Sequence, residues 1–153
     1  MAALTQAYEA QKKDGELVNY PVAANTSIFK GSLVAVVAGF VVPAADAAGA
    51  AFVGVAHETK INTASTPLPG PGISGQAGQF AGAAGALSIR VEKTGSFVYS
   101  KAGAVAADRG KPALVVDSGT VATAATANNV ACGHVVDVPD SGHVRVRIDR
   151  GVQ

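Results

Sequence analysis

Few residues of this chain could do chemistry, and their spacing keeps them apart. The three histidines are His57, His134 and His143. His57 precedes Glu58, and neighbours on a strand point to opposite faces. His134 and Asp137 are expected on opposite faces for the same reason. Metal and hydrolytic sites need clustered His, Cys, Asp and Glu. A three-histidine site would require the fold to gather positions that otherwise read as scattered surface or core residues. Cys132, the single cysteine, sits in Val130-Ala-Cys-Gly-His-Val. That apolar strand pattern suits a small buried thiol rather than a nucleophile. Ser74, in Gly70-Pro-Gly-Ile-Ser-Gly, lacks the nucleophile-elbow pattern, and no apolar strand leads into it. Gly82-Ala-Ala-Gly-Ala lacks the lysine of a phosphate loop. The expectation is a protein that is not an enzyme, with no catalytic residues, no cofactor and no metal.

The elements around these residues read as the same unit twice. Gly31-Ser-Leu-Val-Ala-Val-Val leads through Val41-Val42 and an Ala-rich tract to Phe52-Val-Gly-Val. Gly110-Lys-Pro-Ala-Leu-Val-Val leads through Thr120-Val121 and an Ala/Thr tract to Ala131-Cys-Gly-His-Val. The offset is about 79 residues throughout, the mark of an internal repeat. Gly31 matches Gly110, Val42 matches Val121, and Gly54 matches Gly133. Each unit predicts a strand, a tight turn, a second strand, a small-residue loop and a third strand. Leu87–Lys93 and His143–Asp149 alternate as half-buried strands, and Phe52–Thr59 reads as a strand carrying His57 and Glu58. About ten strands with frequent turn signals predict an all-β sandwich or barrel.

Composition narrows the function classes. At 153 residues the chain has the size of one domain. Charged residues make up 15% of it, against about 25% in ordinary domains, so much of the surface must be neutral and suited to protein contact. The net charge of +1 gives no basis for attraction to nucleic acid. Arg145 and Arg147 alternate with Val144, Val146 and Ile148, which reads as a solvated strand face rather than a phosphate site. The lone cysteine fits a reducing cytoplasm. No secretory signal or membrane span is legible.

Two segments depart from the β pattern. Residues 1–19 are polar and mixed in charge, with a short helix possible over Ala2–Lys13. They read either as a frayed terminus or as an arm that orders on a partner. Residues 62–86 carry Pro67, Pro69, Pro71 and many glycines. A loop this long is either functional or a disordered linker. The domain reading is therefore an arm, 1–19, and a single β-domain, 20–153, with the 62–86 loop inserted between the units.

Tyr20-Pro-Val-Ala-Ala-Asn-Thr-Ser-Ile-Phe-Lys-Gly-Ser-Leu-Val-Ala-Val, Val42-Pro-Ala-Ala-Asp and Phe52-Val-Gly-Val-Ala resemble the small capsid decoration, or cement, proteins of tailed bacteriophages. Ala107-Asp-Arg-Gly-Lys-Pro-Ala-Leu-Val-Val-Asp and Val144-Arg-Val-Arg-Ile fit the same pattern. The likeness spans about residues 17–61 and 87–149, and the 62–86 insert departs from it. It implies a structural virion protein, made in the bacterial cytoplasm, that binds the outer surface of an assembled head. Its implied partners are the major capsid protein and two further copies of itself, with no nucleic acid or membrane involved. Leu4, Tyr8, Leu17 and Tyr20 are the expected capsid-binding anchors of the arm. Leu68, Ile73 and Phe80 are the expected loop contacts between subunits. The alternative is a virion-surface β-module that binds a host carbohydrate or receptor, although Trp is absent and Tyr scarce for a sugar platform.

Overall fold

The computed structural model describes residues 16–63 and 82–149. Its strands are β1 (Leu17–Pro21), β2 (Thr26–Ile28), β3 (Leu33–Val37), β4 (Phe40–Pro43), β5 (Ala51–Ala56), β6 (Lys60–Asn62), β7 (Ser88–Glu92), β8 (Ser96–Ser100), β9 (Pro112–Asp117), β10 (Thr120–Ala122), β11 (Ala131–Asp140) and β12 (His143–Arg147). A 3-10 turn, Ala106–Asp108, precedes β9. The fold is all-β, and it is built from two related meanders.

The first unit is a five-stranded sheet in the order β1-β7-β5-β3-β4. The second is a closed barrel in the order β10-β8-β12-β11-β9. These are the same arrangement. Val34 pairs with Gly54 in one unit and Ala113 with Gly133 in the other. Gly31 N–H donates to Ala56 O at 2.8 Å, and Gly110 N–H donates to Val135 O at 2.7 Å. The outer strands obey the same rule: Leu17 pairs with Glu92 and Tyr20 with Ile89, as Ser96 pairs with Arg147 and Tyr99 with Val144. A parallel bridge from Thr120 to Ser100 closes the second barrel. In the first unit, which is an open sheet, an isolated parallel bridge joins Val22 to Val41.

Local chemistry explains the turns. Between β3 and β4, Ala38 and Gly39 hold φ of 50° and 88°, the paired positive values that a two-residue hairpin requires. β9 and β10 turn equally tightly through Ser118 and Gly119, but a register shift precedes Val121. That bulge moves β10 one residue along relative to the simple repeat offset.

Packing distinguishes the units. Val34, Val53, Ala56, Ile89 and Val91 fill the interior of the first with Val22, Ile28 and Val41. The opposite face of β5 is also buried, because Phe52 and Val55 join a cluster with Tyr99, Val115, Val130 and Cys132 of the second unit. Hence β5 has no exposed residue, whereas Ala131, His134 and Val136 of β11 are exposed. A strand covered on both faces becomes continuously apolar.

Asn62 fastens the β2–β6 ribbon. It is fully buried, and its side-chain amide donates to Ala23 O at 2.9 Å and Ala83 O at 2.8 Å. Asn62→Ala removes both bonds, to the carbonyls of half-buried Ala23 and exposed Ala83, and each such bond contributes about 0.5–1.5 kcal/mol net, with the emptied buried site adding to the loss. Urea denaturation is expected to show a loss of about 2–3 kcal/mol, with the unsatisfied Asn62 Oδ1 making up part of the difference. A loss under about 0.5 kcal/mol would mean that water replaces both bonds.

Two expectations about the histidines are corrected. β5 stops at Ala56, so His57 and Glu58 lie beyond it and do not point to opposite faces. His57 Nδ1 lies 2.6 Å from Glu92 Oε1, and Arg90 donates to Glu58. Arg90 and Glu92 share the outer face of β7, so both partners are on one side. His134 and Asp137 also share the outer side of β11. A register shift between Val135 and Asp137 turns Asp137 outward, where its half-exposed carboxylate meets Arg109 at 3.0 Å.

Candidate interaction surface

The connector Lys93–Gly95 carries the chain from β7 to β8, and both ends of the described body meet it. Lys93 N–H donates to Glu16 O at 2.9 Å. Gly95 N–H donates to Asp149 Oδ1 at 2.7 Å, and Ile148 N–H returns to Gly95 O at 3.1 Å. The first and last described residues, Glu16 and Asp149, therefore lie at one place on the β body.

A notch lies on each side of this connector. Glu16, Leu17, His57, Glu92 and Thr94 line one, of about 250 Å³. Gly95, Ser96, Val136, Arg147 and Asp149 line the other, of about 300 Å³. Strand pairing makes them counterparts: Leu17 opposite Glu92 corresponds to Ser96 opposite Arg147. The same backbone form thus carries different charge. Glu92 stands where the other unit has Arg147, and Thr94 where it has Asp149. The notches are open and shallow, with exposed Leu17 and Val136 at their rims. Ligand sites bury most of a small molecule in an enclosed cleft, whereas an open, mixed-charge surface with apolar rim residues suits another protein.

Local ion pairs keep this surface ordered. Arg147 Nε donates to Asp149 Oδ2 at 2.8 Å. That bond, with the Gly95 N–H, holds the Asp149 carboxyl below the usual carboxylate range. For Glu58, burial opposes ionisation, but the Arg90 hydrogen bonds and the charge of Lys60 prevail and lower its pKa. At the far end of the β8–β12 ladder, away from this surface, the Gly142 N–H and then His143 lower Asp140. Such exposed pairs contribute little to stability, so their effect is mainly orientational.

The expected site residues divide between the described body and the rest of the chain. Leu17 and Tyr20, expected in the arm, lie in β1. Residues 17–19 are thus sheet residues paired with β7. Leu17 is 39% exposed at the notch rim. The half-buried Tyr20 accepts a hydrogen bond from Lys93 Nζ at 2.8 Å. Leu4, Tyr8, Leu68, Ile73 and Phe80 lie outside the described residues, as do the helix read over Ala2–Lys13 and most of the 62–86 loop. Among the described residues no group of three His, Cys, Asp or Glu is placed to hold a metal ion. Cys132 is buried, its thiol donates to Ala113 O at 3.3 Å, and burial pushes its pKa up to about 12. The protonated thiol is a poor nucleophile at neutral pH. The connector with its two notches was missed by sequence reasoning. Its only trace was the junction between one strand pattern ending at Lys93 and another starting at Ser96.

No protein-family model matches the chain, and no curated protein or solved structure matches it significantly.

Proposed function

We propose that this protein is a structural accessory of a bacteriophage head, one that docks on the outside of the assembled shell and bridges major capsid subunits. The carrying observation is the convergence of Glu16 and Asp149 on the Lys93–Gly95 connector. Residues 1–15 and 150–153 are covalently joined to the body at this one place, beside the two open notches. An N-terminal arm with Leu4 and Tyr8 as anchors would start from the edge of a docking face that includes the exposed Leu17. The sequence resemblance to decoration proteins supplies the shell as partner and a homotrimer as the assembled form. The 62–86 segment, with Leu68, Ile73 and Phe80, would serve contacts between neighbouring copies. Each contact need supply only a few kcal/mol, because several must break together before a copy leaves.

The test uses heads of the encoding phage stripped of this protein. The full chain is expected to co-sediment with them and to raise the temperature at which they release DNA. A chain lacking residues 2–15 keeps β1 whole and is expected to bind at least about tenfold more weakly, the equivalent of 1.4 kcal/mol. If stripped and decorated heads fail at the same temperature, the stabilising role is wrong. If the truncated chain binds as well as the full one, the arm has no part in attachment.

A further inference from the structure

The two units are joined head to tail, and among the described residues the joint leaves one face of each without a counterpart. On the first unit, the outer residues of β3 and β5 are covered: Leu33, Ala35, Phe52 and Val55 are 0–1% exposed. They share a cluster with Tyr99, Val115 and Val130 of the second unit. Leu33 N–H donates to Ser118 O at 2.8 Å, and the Tyr99 hydroxyl donates to Gly31 O at 2.9 Å.

Register identifies the equivalent residues without ambiguity. Leu33 opposite Val55 corresponds to Pro112 opposite His134, and Ala35 opposite Phe52 to Leu114 opposite Ala131. Yet Pro112, Ala131 and His134 are exposed and Leu114 is only half-buried. The other side of the joint shows the converse. Tyr99, Val115 and Val130 are buried, while their equivalents Tyr20, Val36 and Ala51 are half-buried. A two-fold joint would use both sets of contacts. A head-to-tail joint uses one and leaves the other open, which is the geometry that propagates into rings or filaments.

We propose that the two open faces are an interface between copies of this chain. The outer face of β9 and β11 in one copy seats on the Tyr20–Val36–Ala51 side of the next, repeating between chains the joint within each chain. The Tyr20 hydroxyl then donates to Gly110 O, as Tyr99 does to Gly31 O. Gly31 and Gly110 hold the same backbone form, with φ of 85° and 83°. Among the described residues nothing donates to the Gly110 carbonyl. The joint between chains is weaker than the one within them: Pro112, in place of Leu33, has no N–H to give the next copy's Ala38 O, and Ala131 and His134 replace Phe52 and Val55 and bury less apolar area. The inference goes beyond the shell-binding reading and needs no shell.

Cysteine pairing tests it on the purified protein. Ser118 and Ala38 each open the tight turn of their hairpin, so the Leu33–Ser118 contact places Pro112 of one copy beside Ala38 of the next. Pro112→Cys and Ala38→Cys chains, mixed and mildly oxidised, are expected to give a covalent dimer. One chain carrying both substitutions should give a ladder or a single closed ring. The native Cys132 is buried and stays silent. Adding Ala131→Glu, at an exposed position on the proposed face, should cut the yield at least about tenfold by placing an unpaired charge in the joint. Val98→Glu should leave the yield unchanged, since Val98 and its equivalent Asn19 are both exposed and outside the joint. Failure to cross-link, together with monomer mass in sedimentation at every concentration, overturns the proposal. So does cross-linking at full yield in the Ala131→Glu background. Neither result bears on whether the protein binds heads.

Discussion

Alanine at Gly54 or at Gly133 is expected to be among the most destabilising single changes in the protein, removing a large share of its stability. A Cβ at Gly54 would lie 2.1 Å from the carbonyl oxygen of Glu92 and 2.7 Å from Val91 Cγ1. At Gly133 it would lie 2.1 Å from the carbonyl oxygen of Arg147 and 2.9 Å from its carbon. The nearest obstacle at each site is a backbone oxygen of the neighbouring strand, which cannot swing aside as a side chain could. Both glycines also hold strongly positive φ, 142° and 149°. Strain of that kind costs about 1–3 kcal/mol, and forcing atoms into a packed space costs about as much again. The combined loss is about 2–6 kcal/mol, against a total stability of roughly 5–15 kcal/mol for a domain. Gly31→Ala and Gly110→Ala are the controls. Their φ is positive too, but nothing lies within 4 Å of the added carbon, so each should cost only about 1–2 kcal/mol. Urea midpoints of the four variants decide the matter. If Gly54→Ala melts with Gly31→Ala, the close approach of β5 to β7 is not as described.

Those four glycines are also where the sequence was most legible. Gly31 with Gly110 and Gly54 with Gly133 recur because the backbone needs the same unusual conformation twice, and no other residue meets it cheaply. The outer strands were harder to align. Leu17-Val-Asn-Tyr-Pro and Ser96-Phe-Val-Tyr-Ser share only the tyrosine, since a strand position specifies burial more than identity. The ribbon of β2 and β6 has three residues per strand, too few for a periodic pattern. The end of β5 was misplaced because His57 continues an apolar run, while Glu92 and Arg90, some 35 residues away, draw His57 and Glu58 to one side. The surface around Lys93–Gly95 was hidden for the same reason: residues 16, 93 and 149 become neighbours only after both units form. The doubled joint was legible only in part. Phe52 and Ala131 fall at matching positions, but the sequence alone does not say that one is covered and the other open.

Removing the carboxylate of Asp108 is expected to be the most damaging change among the charged residues. Asp108 is 2% exposed. One oxygen meets Lys101 Nζ at 2.9 Å and the Val105 N–H at 3.1 Å. The other meets Lys111 Nζ at 2.9 Å and the Thr123 hydroxyl at 3.2 Å. The side chain thus ties the end of β8, the 3-10 turn, the start of β9 and the loop after β10. Asp108→Asn keeps the shape but strands Lys101, whose side chain is only 12% exposed, and an unpaired buried charge is strongly destabilising. Its urea midpoint should fall further than that of Asp137→Asn, which breaks an exposed pair. Adding Lys101→Met should recover part of the loss, because removing both charges spares the cost of burying one alone. A double variant less stable than Asp108→Asn would refute the stranded-charge account. The pH dependence has a definite sign. The Lys101 and Lys111 hydrogen bonds, then the Val105 N–H, hold the Asp108 pKa far below its ordinary value. Its contribution is fully present above the unfolded-state pKa, near 4, and declines as pH falls below that toward the folded-state pKa. The wild-type melting temperature should therefore drop between about pH 5 and pH 2, and Asp108→Asn should flatten that slope. An equally steep acid slope in the variant would assign the loss to the surface carboxylates instead.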